Sequence, residues 1–393
     1  MPSPRETGRY EVITTAGESA RAFLPHALPP ANPPLLLEGE LASTHASALA
    51  ALTHLELASS MVPPGDWFVH GFVRKEAVLS SQIEGTQSTL LDLLAFEASG
   101  EALANPDLEE VCNYLDALAF AREELRRDYG LPLSTRLLNG VHRRLMNGVR
   151  GADKQPGELR RSQNWIGGTR PGNAIYVPPP PTALPGMLSD LERYLHAPDT
   201  LPPLVRIALV HVQFESLHPY LDGNGRTGRL LIALLLEAWG LLSQPLLFLS
   251  VYLLRHRSEY YKRLGAVRDG DWEGWVSFFL EGVATTADEA VSTARALFAQ
   301  VSQDRTSVLA AKTTSVMGLR LLEQLPRRPI LTAQHAMQAL DTTMPTALKS
   351  IDLLESLGIL RESTGRQRDR EYRYDAYLRV LGAQGAAPLE GVL

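Results

Sequence analysis

The chemistry-bearing residues of the chain are concentrated in one short segment, residues 218–229, which reads His-Pro-Tyr-Leu-Asp-Gly-Asn-Gly-Arg-Thr-Gly-Arg. The apolar run at 230–236 predicts that a helix begins there. A glycine-rich loop that opens a helix directs several backbone N–H groups to one point, where the helix dipole favours negative charge. Arg226 and Arg229 would lie one turn apart and contact the same anion. The segment therefore predicts a polyphosphate site.

Two further side chains of the segment indicate a reaction as well as binding. Asp222 offers a hard oxygen ligand for Mg²⁺. His218 lies where an imidazole could accept the proton of an attacking hydroxyl group. Together they predict a metal-bound polyphosphate next to a base that could accept a hydroxyl proton.

Three other interpretations of the segment compete with this one. Gly223, Gly225 and Gly228 spell G-x-G-x-x-G, but a dinucleotide fingerprint requires a preceding strand and an acidic residue about 20 positions later. Residues 203–217 instead have apolar side chains at helical spacing, and no suitable acid follows. A Walker A loop is excluded because the chain contains no G-x-x-x-x-G-K-[ST]. A plain polar turn does not need this combination of side chains.

In residues 218–229 the chain resembles the Fic (filamentation induced by cAMP) family, whose signature is H-P-F-x-D/E-G-N-G-R-x-x-R; Tyr220 stands where Phe is usual. Residues 160–168 and 176–181 resemble the family's flap hairpin. Residues 80–85, Ser-Ser-Gln-Ile-Glu-Gly, match the family's inhibitory motif [ST]-x-x-x-E-[GN]. The resemblance covers most of the chain.

The resemblance implies a protein adenylyltransferase, which moves AMP from ATP to a Ser, Thr or Tyr hydroxyl of a protein, itself included. His218 would be the general base, and Asp222 would hold Mg²⁺ between the α- and β-phosphates. The other implied phosphate ligands are the N–H groups of Gly223, Asn224 and Gly225, the Asn224 side chain, and the guanidinium groups of Arg226 and Arg229.

The same resemblance implies where the target and the adenine would bind. A flap would pair its backbone with an extended segment of the target protein, and this flap comprises Asn164, Trp165, Ile166 and Gly167. Tyr260 and Tyr261 match a pair that lines the adenine pocket in the family. At Arg268, where relatives can carry an Asn near the base, the chain departs from the family pattern.

An inhibitory segment is also implied. Glu84 would form an ion pair with Arg229 and so remove the cation that fixes the γ-phosphate. We expect Glu84 to lie on a helix, with Ser80 one turn before it orienting its carboxylate and Gly85 completing the motif. Glu84 could also activate water to remove AMP from a modified target.

The predicted fold class is mainly α: a Fic helical core with a short β-hairpin flap, then a C-terminal winged-helix (α+β) domain. The predicted domains are an N-terminal helical region with the inhibitory helix (1–115), a catalytic core (116–300) and a winged helix-turn-helix domain (305–393). Proline-rich residues 1–40 predict an extended arm. Other predicted elements are helices at 71–98, 131–148, 183–196, 203–217, 226–240, 246–267 and 271–302, and a hairpin at 163–177.

The last part of the chain leaves a second function open. Helices at 332–340 and 346–357, then two strands around Gly365, form a winged-helix pattern. Arginines of the predicted wing suit DNA phosphates, but acids alternate with them, so dimerisation or target docking is favoured over DNA binding. The alternatives to AMP transfer are a DNA-binding transcriptional regulator, a toxin-type Fic protein, and a de-AMPylase using the same site.

Composition narrows the class of protein. A net charge of −6 argues against a chain that coats nucleic acid non-specifically. The single cysteine, Cys112, excludes an intramolecular disulfide and suits a reducing cytoplasm. The longest apolar run, 230–236, is too short to span a bilayer, and the first residues lack the apolar region of a signal peptide. We therefore expect a cytoplasmic protein, and the family resemblance predicts a homodimer.

Two histidines outside the signature segment are not expected to bind a metal. His142 and His211 are predicted to be core residues, because neither has metal-ligand spacing.

Overall fold

The computed structural model describes residues 5–60, 67–99, 105–311 and 315–382, and most of these residues are helical. The mainly α fold class predicted from the sequence is confirmed. The helices are α1 (Gly39–Ser60), α2 (Trp67–Ile83), α3 (Leu90–Ser99), α4 (Pro106–Arg126), α5 (Thr135–Leu145), α6 (Leu184–His196), α7 (Pro203–Leu217), α8 (Asn224–Ala238), α9 (Ser250–Arg255), α10 (Arg257–Ala266), α11 (Trp272–Ala310), α12 (Val316–Gln324), α13 (Ala333–Leu340), α14 (Met344–Ser356) and α15 (Asp375–Gly382). The strands are β1 (Gly8–Thr15), β2 (Glu18–Pro25), β3 (Ile330–Thr332), β4 (Arg361–Glu362) and β5 (Glu371–Arg373).

Helices α7 and α8 form the centre of the core. Helix α7 begins at Pro203, whose fixed φ suits a first helical position, and nearly all its residues are buried. Helix α8 carries the apolar run seen in the sequence and packs against α7. A helix that is apolar on every side must be surrounded by other helices. The connection between α7 and α8 is therefore held on a rigid support.

Two predicted helices are each interrupted in the structure. The single helix expected at 71–98 is two helices, α2 and α3, separated by a turn in which Gly85 has φ +100°. The helix expected at 246–267 is α9 and α10, broken at His256. At the second break apolar residues continue at helical spacing, so periodicity alone did not reveal it. The first break falls in residues 84–89, Glu-Gly-Thr-Gln-Ser-Thr, which include no apolar residue, and Gly85 was a local signal of it.

The ends of α4 and α11 bear on the predicted domain boundaries. Helix α4 begins as expected, with the Asn105 side chain accepting a hydrogen bond from Asp107 N. It continues through residues 115 and 116, and the 39-residue α11 continues through residues 300 to 305. No helix ends at either boundary, and the domain division stays a prediction.

The extended arm expected at residues 1–40 is wrong for its central part. Strands β1 and β2 form an antiparallel hairpin in which Gly8 pairs with Pro25. Ala16 and Gly17, at its turn, both have positive φ, as in the tight turns that match strand twist. The prolines that suggested an arm follow or end this hairpin, where they remove no hydrogen bond between the strands.

The predicted flap hairpin is present in a minimal form. Ile166 and Tyr176 make one antiparallel bridge, with hydrogen bonds of 2.8 and 3.1 Å between their backbones. The N-terminal hairpin lies beside it, because Phe23 N donates to Val177 O at 2.9 Å. An ion pair between Glu18 and Arg170 adds a second link. The flap is therefore supported by the first residues of the chain.

Residues 316–382, the C-terminal unit, contain the helices and strands in the order predicted for a winged helix. The strands form an antiparallel sheet in the order β3–β5–β4. The unit contacts the helical core at α11, where Tyr374 donates to the Asp304 carboxylate, and at α2, where Lys75 Nζ donates to Leu381 O. In the part of the chain that the structure describes, each helix is too short or too polar to cross a bilayer.

Candidate active site

His218 lies at the sharp bend between α7 and the loop that leads to α8. Its backbone is left-handed, at φ +46° and ψ +60°, which costs energy in a residue with a side chain. Arg160 stabilises the bend: its Nε donates to His218 O at 2.9 Å and its backbone N donates to Pro219 O at 3.0 Å. Burial and the Arg160 charge lower the pKa of His218 to about 4, against the opposing effect of Glu84. The imidazole is thus neutral near pH 7, as a base must be.

The loop is closed by the side chain of Asn224. The Asn224 side chain accepts from Tyr220 N at 2.9 Å and donates to Tyr220 O at 2.8 Å. Asn224 is almost fully buried, and both of its side-chain polar atoms are used in this pair. Its side chain therefore shapes the loop in this conformation, and its expected contact with phosphate oxygens stays a prediction.

His142, on α5, braces the same loop. Its ring stacks on Tyr220 with centroids 3.8 Å apart and planes 4° from parallel. Nδ1 accepts from Gly157 N at 2.8 Å, so Nε2 carries the proton and donates to Asp222 O at 2.9 Å. Burial lowers the pKa of His142 to about 4, which keeps this neutral tautomer. The prediction that His142 is a satisfied core histidine is confirmed.

Asp222 is the residue of the loop whose carboxylate could hold a magnesium ion. One carboxylate oxygen, Oδ1, accepts from Gly223 N at 2.7 Å. The other, Oδ2, faces Gly151, where a Cβ atom would lie only 2.8 Å away. Among the residues that the structure describes, no group of three or more His, Cys, Asp or Glu could enclose a metal. An ion here would depend on Asp222 and on phosphate oxygens, the set that Mg²⁺ commonly uses.

The first turn of α8 forms the predicted anion position. Gly223 precedes the helix in a left-handed conformation and supplies no side-chain cap. The N–H groups of Asn224 and Gly225 belong to the first turn, which has no intrahelical acceptors. Glu84 Oε1 lies so close to Gly225 that a Cβ there would collide with it. A carboxylate thus lies at the N-terminus of α8, where a phosphate would be favoured for the same reason.

Glu84 forms the expected ion pair with Arg229. Glu84 Oε1 lies 2.6 Å from Arg229 Nη2, and the arginine side chain is only 2% exposed. Burial alone would raise the pKa of Glu84, but the charge and hydrogen bond of Arg229 outweigh it and the pKa is lowered. The pair is ionised near neutral pH.

The surroundings of that pair correct two details. Glu84 lies in the turn after α2, whose last residue is Ile83, rather than within a helix. Ser80 does not orient the glutamate; its Oγ and its backbone O each accept from Arg229 at 2.9 Å. The end of α2 therefore binds the guanidinium through three acceptors.

Arg226 has a different environment from the one expected. Its Nη1 lies 2.7 Å from Glu110 Oε2 on α4, and both side chains are 2% exposed. Burial raises the pKa of Glu110 against the opposing charge of Arg226. The two arginines thus face different partners, and Arg226 could contact a phosphate only while it also neutralises Glu110.

The two tyrosines expected at the adenine differ in exposure: Tyr260 lies in the core and Tyr261 lies at the surface. Tyr260 is buried, and its hydroxyl pairs with His211 Nε2 at 2.9 Å, while His211 Nδ1 contacts Gly228 O. The prediction that His211 is a core residue is confirmed. Tyr261 is 46% exposed and stands 5.3 Å from Tyr260, centroid to centroid. Of the two rings only that of Tyr261 is accessible in this conformation, and the expectation that both line an adenine pocket stays a prediction.

The flap residues lie next to the loop. Asn164 Nδ2 donates to Tyr220 O at 3.1 Å, which ties the flap to the signature segment. The N–H and C=O of Ile166 pair with the other half of the hairpin. Backbone groups of successive strand residues point to opposite sides, so those of Trp165 face outward. Gly167 has φ +67° and ends the extended stretch.

Sequence reasoning missed two residues that position the site. Glu110 is an acid among the buried residues of α4, and this break in an apolar face was the available signal. Asn139, on α5, accepts from the Tyr220 hydroxyl at 2.8 Å. The hydroxyl that distinguishes Tyr220 from the usual Phe therefore has a hydrogen-bond partner in the protein.

Comparison with known proteins shows which family models and which relatives the chain matches. Residues 132–236 match the family model described as Fic/DOC family, and residues 42–123 match the one described as Fic/DOC family N-terminal. Proteins named protein adenylyltransferase Fic are 34% identical over 150 residues in Drosophila erecta and 32% identical over 150 residues in Culex quinquefasciatus. Each match covers 38% of this chain, and the chain spans only 27% of the length of these curated relatives.

Solved structures agree at the level of the fold. A Fic family protein from Desulfovibrio desulfuricans G20 aligns with a TM-score of 0.53 and 21% identity, covering 84% of this chain and 95% of that one. Fic-1 from C. elegans aligns with a TM-score of 0.50 and 21% identity, covering 66% of this chain and 74% of that one. Both alignments cover far more of the chain than the signature segment.

Proposed function

The chain belongs to the Fic/DOC family, and on that premise we propose that it is a protein adenylyltransferase that transfers AMP from ATP to a hydroxyl side chain of a protein, including itself. The observation that carries the proposal is the placement of neutral His218 beside the N-terminus of α8, where a carboxylate already lies against Arg229. Curated relatives bear the name of that activity. The target protein would present a Ser, Thr or Tyr hydroxyl.

The proposed reaction is a substitution at the α-phosphorus of ATP. The target hydroxyl oxygen forms a bond to that phosphorus, the bond to the bridging oxygen breaks, and pyrophosphate leaves. His218 accepts the hydroxyl proton, a contribution of roughly 10²–10⁴ in rate. Mg²⁺ held by Asp222, when bound, would neutralise charge on the phosphates. The α8 N–H groups and Arg229 would hold the polyphosphate, and Arg226 would join them if its pair with Glu110 leaves a donor available.

We further propose that the described conformation is autoinhibited. Glu84 occupies the anion position at the N-terminus of α8 and neutralises Arg229. The terminal phosphate of ATP therefore can neither pair with Arg229 nor bind at that position. ATP bound in this state would lack the contact that aligns its α-phosphate for in-line attack. Because Glu84 precedes the signature in the same chain, the inhibition is intramolecular.

A labelling experiment tests both proposals. Purified protein is incubated with Mg²⁺ and ATP labelled at the α-phosphate, and AMP incorporation is measured by intact mass. We expect Glu84→Gly to raise incorporation by about tenfold or more, because Arg229 becomes available to a phosphate. Glu84→Gly combined with His218→Ala should lower it again by about 10²–10⁴.

Glu38→Gly is the matched control, because Glu38 is exposed and its backbone precedes α1. It should leave incorporation at the wild-type level. Absence of labelling in Glu84→Gly would refute the activity. Labelling that persists without His218 would refute its role as base. Loss of AMP from pre-labelled protein, only when Glu84 is present, would instead support the de-AMPylase alternative.

The partner and location assignments also stay proposals. Duplex DNA is a weaker candidate partner of the C-terminal unit than the sequence suggested, because Arg361 and Arg373 both pair with Asp375. Filter binding at two salt concentrations tests the binding of DNA.

A homodimer is proposed on the family resemblance, and light scattering tests this oligomeric state. A cytoplasmic location suits a chain with a single cysteine.

A further inference from the structure

A cleft between the helical core and the C-terminal unit has the properties of a ligand site. Its volume is about 610 Å³, within the usual range for small-molecule sites. Helices α2 and α3 form one wall, and the segment after α12 together with α13 forms the other. The polar residues that line it are His70, Arg74, Glu97, Gln324, Arg327, Arg328, His335 and Gln338.

The charges of the cleft do not cancel. Arg74 and Glu97 neutralise each other through a bidentate pair, with contacts of 2.8 to 3.0 Å. Arg327 and Arg328 are exposed, and neither has an ion-pair partner among residues 5–60, 67–99, 105–311 and 315–382. The cleft therefore has two positive charges without an ion-pair partner among the described residues, and this excess of positive charge favours an anion.

Two histidines add hydrogen-bonding groups to that positive field. Nδ1 of His70 is buried and has no hydrogen-bond partner. Burial, with the charges of Arg74, Arg328 and Arg327, lowers the pKa of His70 to about 3. His335, on the opposite wall, also has a lowered pKa, from burial and then from Arg328. The guanidinium charges thus act on the interior of the cleft and not only on solvent.

We propose that this cleft binds a small phosphorylated molecule of nucleotide size, separately from the α8 site. Arg327 and Arg328 would hold the phosphate, since guanidinium groups bind phosphate oxygens in pairs. The apolar part of the wall, Leu94, Pro329, Ile330 and Ala339, would contact the organic part. A concave cleft of this size fits a small molecule better than a duplex, whose phosphates lie on a broad convex surface.

Occupation of the cleft has a consequence for the proposed inhibition, and this step rests on the proposed function. Helix α2 contributes His70 and Arg74 to the cleft and is followed directly by Glu84. A ligand that contacts α2 and the C-terminal unit together favours the conformation in which the cleft exists. That conformation is the one in which Glu84 pairs with Arg229. The bound molecule therefore lowers AMP transfer.

Calorimetric titration with inorganic pyrophosphate in EDTA tests the binding itself. The full-length wild type is compared with Arg327→Ala/Arg328→Ala and with Arg368→Ala/Arg370→Ala. The second pair is the matched control, because it removes two exposed arginines of the same unit outside the cleft. Arg229→Ala reports binding at the α8 site. We expect Arg327→Ala/Arg328→Ala to weaken pyrophosphate binding about tenfold or more, and Arg368→Ala/Arg370→Ala to leave it unchanged.

The other outcomes each overturn the proposal. If no heat of binding is measured, the cleft does not bind pyrophosphate. If only Arg229→Ala removes the binding, pyrophosphate binds at the α8 site and not in the cleft. Equal weakening by both arginine pairs shows a general charge effect. Binding of a DNA duplex that pyrophosphate displaces, with both pairs required, assigns the surface to nucleic acid. Because no step of this titration needs AMP transfer, it remains informative if Glu84→Gly shows no activity. The regulatory step is tested by comparing the effect of pyrophosphate on transfer in the wild type and in Arg327→Ala/Arg328→Ala, because pyrophosphate is also the leaving group at the α8 site. The step fails if pyrophosphate lowers transfer equally in both proteins, or in neither.

Discussion

At the scale of residues, the site is defined by groups whose charge state depends on burial. His218 has its pKa lowered to about 4, whereas burial raises the pKa of Glu215, three residues earlier, to about 7. Arg229 has its pKa raised, because Glu84 outweighs the effect of its burial. One base is therefore neutral and one cation is permanently charged. These are the states that proton acceptance and phosphate binding require.

The lowered pKa of His218 predicts the acid side of the pH profile. The base is active when neutral, so transfer falls as the pH drops through its pKa, about 4, and not through 6.5. Removal of Glu84, which raises that pKa, can only lower it further. We expect Glu84→Gly to transfer AMP at a constant rate from about pH 8 down to about pH 5.5, measured by initial rates. A half-maximal rate near pH 6.5 would show that His218 titrates normally.

At the scale of elements, the catalytic loop depends on helices other than those it connects. The loop joins α7 to α8, but α5 supplies its main support. His142 stacks on Tyr220 and bonds Asp222 O, and Asn139 accepts from the Tyr220 hydroxyl. The α7–α8 pair fixes where the loop begins and ends, and α5 fixes the path between them.

Substitution of His142 by Phe tests this support. Phe keeps the aromatic stack but leaves Asp222 O without its donor and Gly157 N without its acceptor. We expect the free energy of unfolding to fall by about 1–3 kcal/mol, measured by denaturant titration. In the Glu84→Gly background, transfer should fall as well, because Asp222 is no longer fixed. His54→Phe, on an exposed position of α1, is the control. Equal stability of both variants would contradict the interpretation.

At the scale of the whole molecule, helix α2, which precedes Glu84, lies between the helical core and the C-terminal unit. Helix α2 contacts α4, α8 and α9 of the core on one side and α15 of the C-terminal unit on the other. A Cβ atom on Gly71 would lie 2.9 Å from Leu381 Cδ2, so α2 and α15 are in close contact. The position of Glu84 is thus determined partly by a unit that has no residue in the site.

Gly71→Val tests that long-range dependence. The added side chain would overpack the contact with Leu381, at a cost of about 1–3 kcal/mol, and displace α2. We expect AMP transfer by the otherwise unmodified chain to rise several-fold, measured by labelling with ATP. Gly186→Val is the control, because the position lies in α6 with open space around it. A destabilised Gly71→Val protein with unchanged transfer would show that α15 does not hold α2 in its inhibitory position.

The sequence by itself determined the local features of this protein. The order of residues 218–229 predicted a loop at a helix N-terminus, and the motif at residues 80–85 predicted the partner of Arg229. Local rules suffice there, because chain connectivity alone places the loop residues together. The cap at Asn105 and the core roles of His142 and His211 were also predictable from adjacent residues.

Only the tertiary structure decided which polar groups of the predicted site form hydrogen bonds or ion pairs with other residues of the protein. Asn224 pairs with Tyr220, Arg226 with Glu110, and Tyr260 with His211, so three predicted ligand contacts have other partners. Those pairings join residues up to 116 positions apart, and buried polar groups must find partners wherever the fold places them.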